Sequence, residues 1–237
     1  IATAAADENG VPTTWNTIEI EEQDDIIDPA AIRYFSAPST DTLYATLGIW
    51  NTSEAVDPET RSHAFSSRLS VDSKGISARS SDNAPGAWAQ IIKSTDGGLT
   101  WSVMYSDVES GRYPNDIHCY DETRCATLLE ATGTTPLILT TTDGGETWTT
   151  FEDTSGSESL MAVRHVGESE IWAAGGGDVG RLWHTTDGGA NWEALTTTVT
   201  EAAMITSIAV ASDDTLYASG VLRNQLSTVL KLVVDDN

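Results

Sequence analysis

Ser94-Thr95-Asp96-Gly97-Gly98-Leu99-Thr100-Trp101 returns as Thr141-Thr142-Asp143-Gly144-Gly145-Glu146-Thr147-Trp148 and again as Thr185-Thr186-Asp187-Gly188-Gly189-Ala190-Asn191-Trp192. The shared pattern is Ser/Thr-x-Asp-Gly-Gly-x-Thr/Asn-Trp, and its Asp residues fall 47 and 44 positions apart. Each copy follows an apolar strand-type stretch: Trp88-Ala89-Gln90-Ile91-Ile92, Pro136-Leu137-Ile138-Leu139 and Arg181-Leu182-Trp183. Each precedes a second short strand that begins at the Trp. The copies therefore read as hairpin turns. Gly-Gly supplies positive φ. The Asp carboxylate accepts from N–H groups of its own turn, and the Ser/Thr hydroxyl adds a local bond. The Trp buries a large ring against the sheet. Structural roles thus fall to Asp96, Gly98, Trp101, Asp143, Gly145, Trp148, Asp187, Gly189 and Trp192.

A second repeat runs in step with the first. Asp41-Thr42-Leu43-Tyr44-Ala45-Thr46 is echoed by Asp214-Thr215-Leu216-Tyr217-Ala218-Ser219, with Glu122–Thr127 and Ser169–Ala174 between them. Each is a polar turn entering a second strand. Each follows an inner strand, at Ile32–Phe35, Asp116–His118, Met161–Arg164 and Ile205–Val210. A period of this length built from short strands points to an all-β fold, a β-propeller. The turn pattern resembles the Asp box of the sialidase-like, sortilin-like and related propellers. That resemblance implies turns on the blade periphery, away from the ligand face.

The expected architecture is one domain over 1–237 with about four blades. The last unit ends on Thr228–Asp236 without an outer strand. Thr14-Trp15-Asn16-Thr17-Ile18 resembles Thr147–Phe151 and is expected to close that blade from the N-terminus. Residues at about 50–86 form a polar insertion, or a degenerate fifth blade as the alternative. The chain starts at Ile1 and shows no signal peptide, which reads as a processed chain or a fragment.

Thirty-six Asp and Glu face twelve Lys and Arg, for a net charge of -24. The acids are spread through every segment. That pattern resembles proteins of extreme halophiles, especially haloarchaea and their viruses, where salt screens self-repulsion. Nucleic-acid binding is excluded, because phosphate contacts would be repulsive. No apolar run is long enough to insert in a membrane. Cys119 and Cys125 flank a five-residue turn. They read as a disulfide in an oxidising exterior, with two buried free thiols as the alternative. Secreted Asp-box propellers often carry a similar pair, and the resemblance implies the bridge as well.

Chemistry is sparse. His63, His118, His165 and His184 lack metal-ligand spacing, and neither a metal nor another cofactor is expected. Gly175–Gly180 lacks the Lys-Ser/Thr of a phosphate loop and reads as a hairpin loop. The acidic run from Glu19 to Asp28 lacks an EF-hand spacing and reads as a solvated linker. Sialidases need an arginine cluster, a Tyr–Glu pair and an acid. Arg33 sits on the first inner strand, but Ile32-Arg33-Tyr34-Phe35 departs from their Phe/Tyr-Arg-Ile-Pro signature. The expected function is non-catalytic recognition or scaffolding outside a halophilic cell, on its envelope or on a virus surface. Its partner would be a protein or a glycan, with a homo-oligomer or larger surface assembly as a further expectation. The alternative is a carbohydrate-active enzyme, a sialidase-like glycoside hydrolase. An assembly role like that of photosystem-associated Asp-box propellers ranks lower, for want of a basic patch. Candidate contact elements are the 50–86 insertion and Asp107–Asn115, with Tyr105, Arg112 and Tyr113 as anchors.

Overall fold

The computed structural model describes residues 2–6, 12–17, 20, 25–27, 31–49, 87–107, 110–131, 135–154, 159–177, 180–196, 202–212, 215–222 and 227–233. The insertion read at about 50–86, with the fifth blade it could have formed, lies outside them. All regular structure in the described residues is strand. A hairpin of β1 (Ala2–Ala6) and β2 (Pro12–Thr17) comes first. Four antiparallel strand groups follow in chain order. The first is β3 (Ile32–Ser36), β4 (Leu43–Ile49), β5 (Trp88–Ser94) and β6 (Ser102–Asp107). The second is β7 (Arg112–Cys119), β8 (Cys125–Ala131), β9 (Leu137–Thr141) and β10 (Thr149–Glu152). The third is β11 (Ser159–His165), β12 (Ile171–Gly176), β13 (Arg181–Thr185) and β14 (Glu193–Thr196). The fourth is β15 (Ala202–Ser212), β16 (Thr215–Leu222) and β17 (Ser227–Val233). Within each group neighbouring strands are consecutive in sequence, and one pairing, Gly176 of β12 with Met204 of β15, joins the third and fourth groups into a seven-stranded sheet.

The second strands β4, β8 and β12 are buried almost residue by residue, because each face meets a different core. Leu43, Ala45 and Leu47 face the outer side of the first blade, while Tyr44 faces the second. Cys125 and Leu129 point back to the first blade, and Ala126 and Leu128 point on to the third. Ile171 and Ala173 look back, while Trp172 and Ala174 meet Ile205, Ile208 and Leu216 of the fourth blade. The period-2 alternation of a strand thus turns each of the first three blades into a divider between two cores.

The outer side of the first blade has its own cover. Buried Gln90 accepts the Ile27 N–H through Oε1 at 3.0 Å and donates to the Asp25 carbonyl through Nε2 at 2.8 Å. This fork seats Ile26 over Leu47, Trp88 and Trp101. Part of the acidic run read as a solvated linker is therefore anchored to the core, since an apolar residue inside it has a hydrophobic seat.

Two expectations are corrected. Thr14–Ile18 was expected to pair with the C-terminal strand. Instead β2 pairs with β1, and β17 pairs with β16 only among the described residues. A local hairpin closes a far shorter loop than a pairing of the two chain ends. Gly175–Gly180 was expected as a loop, but Gly175 and Gly176 belong to β12. A Cβ on Gly175 would stand 1.9 Å from the Ser159 carbonyl oxygen. The glycine serves close strand approach rather than a turn.

Candidate functional site

The three repeated turns have one geometry. In the first, Ser94 Oγ donates to Asp96 Oδ1 at 2.8 Å and accepts the Gly98 N–H at 2.8 Å. Asp96 then accepts the Thr100 N–H at 2.9 Å and the Thr100 hydroxyl at 2.6 Å. The second turn repeats this with Thr141, Asp143, Gly145 and Thr147. In the third, the Asn191 amide replaces the Thr hydroxyl as donor to Asp187. These bonds hold each carboxyl well below its usual range, at about 2. The side-chain donors Thr100, Thr147 and Asn191 are the largest cause. Both glycines of every turn have positive φ. The first donates its N–H to the neighbouring turn of its own blade, at Asp41, Thr123 and Ser169 O, each at 2.9 Å. Trp101 Nε1 and Trp192 Nε1 donate to Gly98 and Gly189 O. The Asp carboxylate and the leading Ser/Thr hydroxyl of each turn are thus engaged within their own turn.

The other expected residues lie on and beside the inner strands. The Cys119–Cys125 disulfide is formed across the β7–β8 turn, so the free-thiol alternative falls. Tyr105 packs edge-on against Trp148 at 6.5 Å, in the core between the first two blades. Burial, ahead of the nearby Asp107, pushes its phenol up. Arg112 pairs with Asp107 at 3.5 Å and donates through Nε to Thr135 O at 2.8 Å. Tyr113 is only 7% exposed. Tyr105 and Arg112 thus lie on either side of Asp107, and both are half-buried while Tyr113 is buried.

Each inner strand carries a bulge where the ladder skips a residue, at Arg33, at Asn115, at Met161 and, on β15, at Ala203, Thr206 and Ala211. Bulges re-aim side chains. Around the second and third of these, a polar network ties the blades together. Buried Asn115 donates to Glu130 and to Leu160 O at 2.8 Å. Glu130 also accepts the Ser159 hydroxyl at 2.7 Å and hydrogen-bonds Tyr113, whose phenol is raised by burial first and then by Glu130. Asp116 accepts the Ile117 and Val163 N–H groups at 2.9 Å and pairs with Arg164. On the first inner strand the setting differs. Arg33 is exposed, its guanidinium 5.5 Å above the Tyr113 ring, and it makes no ion pair among the described residues. Phe35, two residues on, is 42% exposed. The network around Asn115, Glu130 and Asp116 escapes a reading by residue type, because strand alternation alone does not locate bulges. The spacing could have found it: Arg33, Asn115 and Met161 each stand eight residues before the turn carbonyls of Asp41, Thr123 and Ser169.

No family model matches the chain, and no curated protein matches it in sequence. Solved structures do match its shape. YCF48 bound to a D1 peptide superposes with a TM-score of 0.51 at 15% identity, over 90% of this chain and 56% of that one. A GH74 enzyme from Niastella koreensis superposes with a TM-score of 0.50 at 17% identity, over 86% of this chain and 28% of that one. The fold is a β-propeller. The chain spans little more than half the length of the first relative and less of the second. The propeller scaffold carries a bound peptide in one relative and an enzyme in the other, so the fold itself selects neither role.

Proposed function

We propose that the chain is a non-catalytic recognition propeller, binding a protein or glycan ligand outside the cell in high salt. The observation that carries this reading is the contrast on the inner strands. Asp116 on the inner strand β7 and Glu130 on the adjacent β8 are each held by several protein donors. The exposed groups on β3 are instead Arg33, whose guanidinium lies over the Tyr113 ring, and Phe35. An arginine with an aromatic neighbour is a common contact anchor. The disulfide is compatible with an oxidising exterior, and the net charge of -24 suits a strongly screening medium.

One observation favours the glycoside-hydrolase alternative: Tyr113 and Glu130 form a hydrogen-bonded pair close to Arg33. Against it, Tyr113 is buried, its phenol is pushed further from ionisation, and Glu130 has two other donors. A glycan and peptide panel at about 3 M KCl, where screening is strong, read for both retention and hydrolysis, separates the two. Retention without cleavage, lost in Arg33→Ala, supports the recognition reading. Cleavage lost in Tyr113→Phe overturns it in favour of the enzyme.

A further inference from the structure

The contact between the second and third blades holds two stacked imidazoles that the binding reading does not use. His118 lies on β7 and His165 at the end of β11, with ring centroids 6.0 Å apart. The His165 backbone N–H donates to His118 Nδ1 at 3.2 Å. A backbone amide only donates, so this bond needs a lone pair on His118 Nδ1. An imidazolium has a proton on both nitrogens and cannot supply one. His165 Nδ1 faces the Gly167 carbonyl at 3.3 Å. A carbonyl only accepts, so Nδ1 carries the ring proton and Nε2 is bare. Among the described residues Nε2 is buried with no partner. Protonation would create a buried donor facing no acceptor.

The surrounding charges offer little relief. From β7, Asp116 is engaged by Arg164 of β11 and by the Val163 N–H. On the β7–β8 turn, Asp121 is engaged by Thr123 and Arg124, and the Tyr120 ring packs 6.1 Å from that of His165. On the β11–β12 turn, Glu168 pairs with Arg124. Arg164 and Arg124 add positive charge.

We infer that His118 and His165 form an acid-sensitive latch between the second and third blades, closed while both rings are neutral and opened by protonation. Burial is the first cause pulling both rings below the ordinary 6.5, His165 to about 4. With the folded value depressed, the unfolded chain takes up the proton first. The contribution is therefore whole above about pH 6.5 and drains as pH falls toward about 4. Linkage at His165 alone weakens the closed state by about twentyfold between pH 7 and pH 5. The turn aspartates, with values near about 2, act in a lower window.

The test is an NMR titration of both imidazoles on the whole chain at fixed high salt, with hydrogen exchange at the His165 amide read as a protection factor. Both rings should titrate below the ordinary histidine value. Protection should fall by about twentyfold from pH 7 to pH 5. In the His118→Asn, His165→Asn double variant the side-chain amides can replace the ring bonds without a titrating nitrogen. Its amide at position 165 should be equally protected at both pH values. A double variant with the wild-type pH dependence overturns the latch. If that variant does not fold, the wild type decides: either ring titrating at its ordinary value or above, or protection unchanged across the interval, overturns it.

Discussion

Replacing Gly189 with Ala tests whether the repeated turns bind neighbouring blades by shape. Gly189 has φ of +96°, and a Cβ built on it would stand 2.5 Å from Thr140 Oγ1, 2.6 Å from Cγ2 and 3.0 Å from Cβ. Thr140 is buried on β9, in the preceding blade. Gly188 beside it has φ of +73° with nothing within 4 Å of its Cβ. Both substitutions strain the backbone, by about 1–2 kcal/mol for a left-handed alanine. Only Gly189→Ala adds an overlap, worth about 1–3 kcal/mol in a packed site. Gly145 is intermediate: its Cβ would meet the flexible Met104 side chain, nearest at 3.2 Å. The expected order of loss is Gly188→Ala, then Gly145→Ala, then Gly189→Ala, the last at about 2–5 kcal/mol. Urea unfolding at constant high salt, followed by tryptophan fluorescence, measures it. Thr140→Ala removes the two closest atoms, so the Gly189→Ala, Thr140→Ala pair should show favourable coupling in a double-mutant cycle. Equal losses at positions 188 and 189, or no coupling to Thr140, would refute the interblade account.

Three further outcomes are expected. Acid should destabilise the fold in a second step below about pH 4, because the turn carboxylates are depressed to about 2 and their stabilising bonds are lost as pH falls through that value; a triple Asp→Asn variant at 96, 143 and 187 should flatten that step in a melting-temperature profile. Removing the disulfide by Cys119→Ala with Cys125→Ala should cost about 2 kcal/mol, the loop-entropy value for so short a ring, and reductant should lower the wild-type urea midpoint but not the variant's. Dilution below about 0.5 M salt should unfold the domain as self-repulsion is unscreened, and a melting temperature equal at low and high salt would count against the halophilic reading.

What the sequence disclosed was the local part of the fold. Asp96, Asp143 and Asp187 bond to groups within four residues, so their turns are written in contiguous sequence. Strand positions followed from the same spacing. Long-range choices were less legible. Thr14–Ile18 has the composition of an outer strand, but composition does not name its partner, and the nearer strand took it. Residue type singles out Tyr113 and Arg112 as contact anchors, yet their neighbours Glu130 and Asp107 come from other strands. Even the equivalent tryptophans diverge. Trp101 is buried at 4% exposure, whereas Trp148 is only partly covered and its indole N–H finds no acceptor among the described residues. The periodic motif set the frame, and side-chain packing between blades decided the site.

Contiguity of each blade in sequence also bears on the order in which they form. In the second blade Leu129 pairs with Leu137 across a short connection. In the first, Ile49 must find Trp88 across a connection several times longer. Closing that longer loop costs about 1.4 kcal/mol more by chain entropy, a penalty met before the strand pair returns any contact. The second and third blades should therefore assemble before the first, although the ribosome delivers the first blade earlier. The folding nucleus then lies in the middle of the chain, and β3 and β4 wait for β7 to offer a surface.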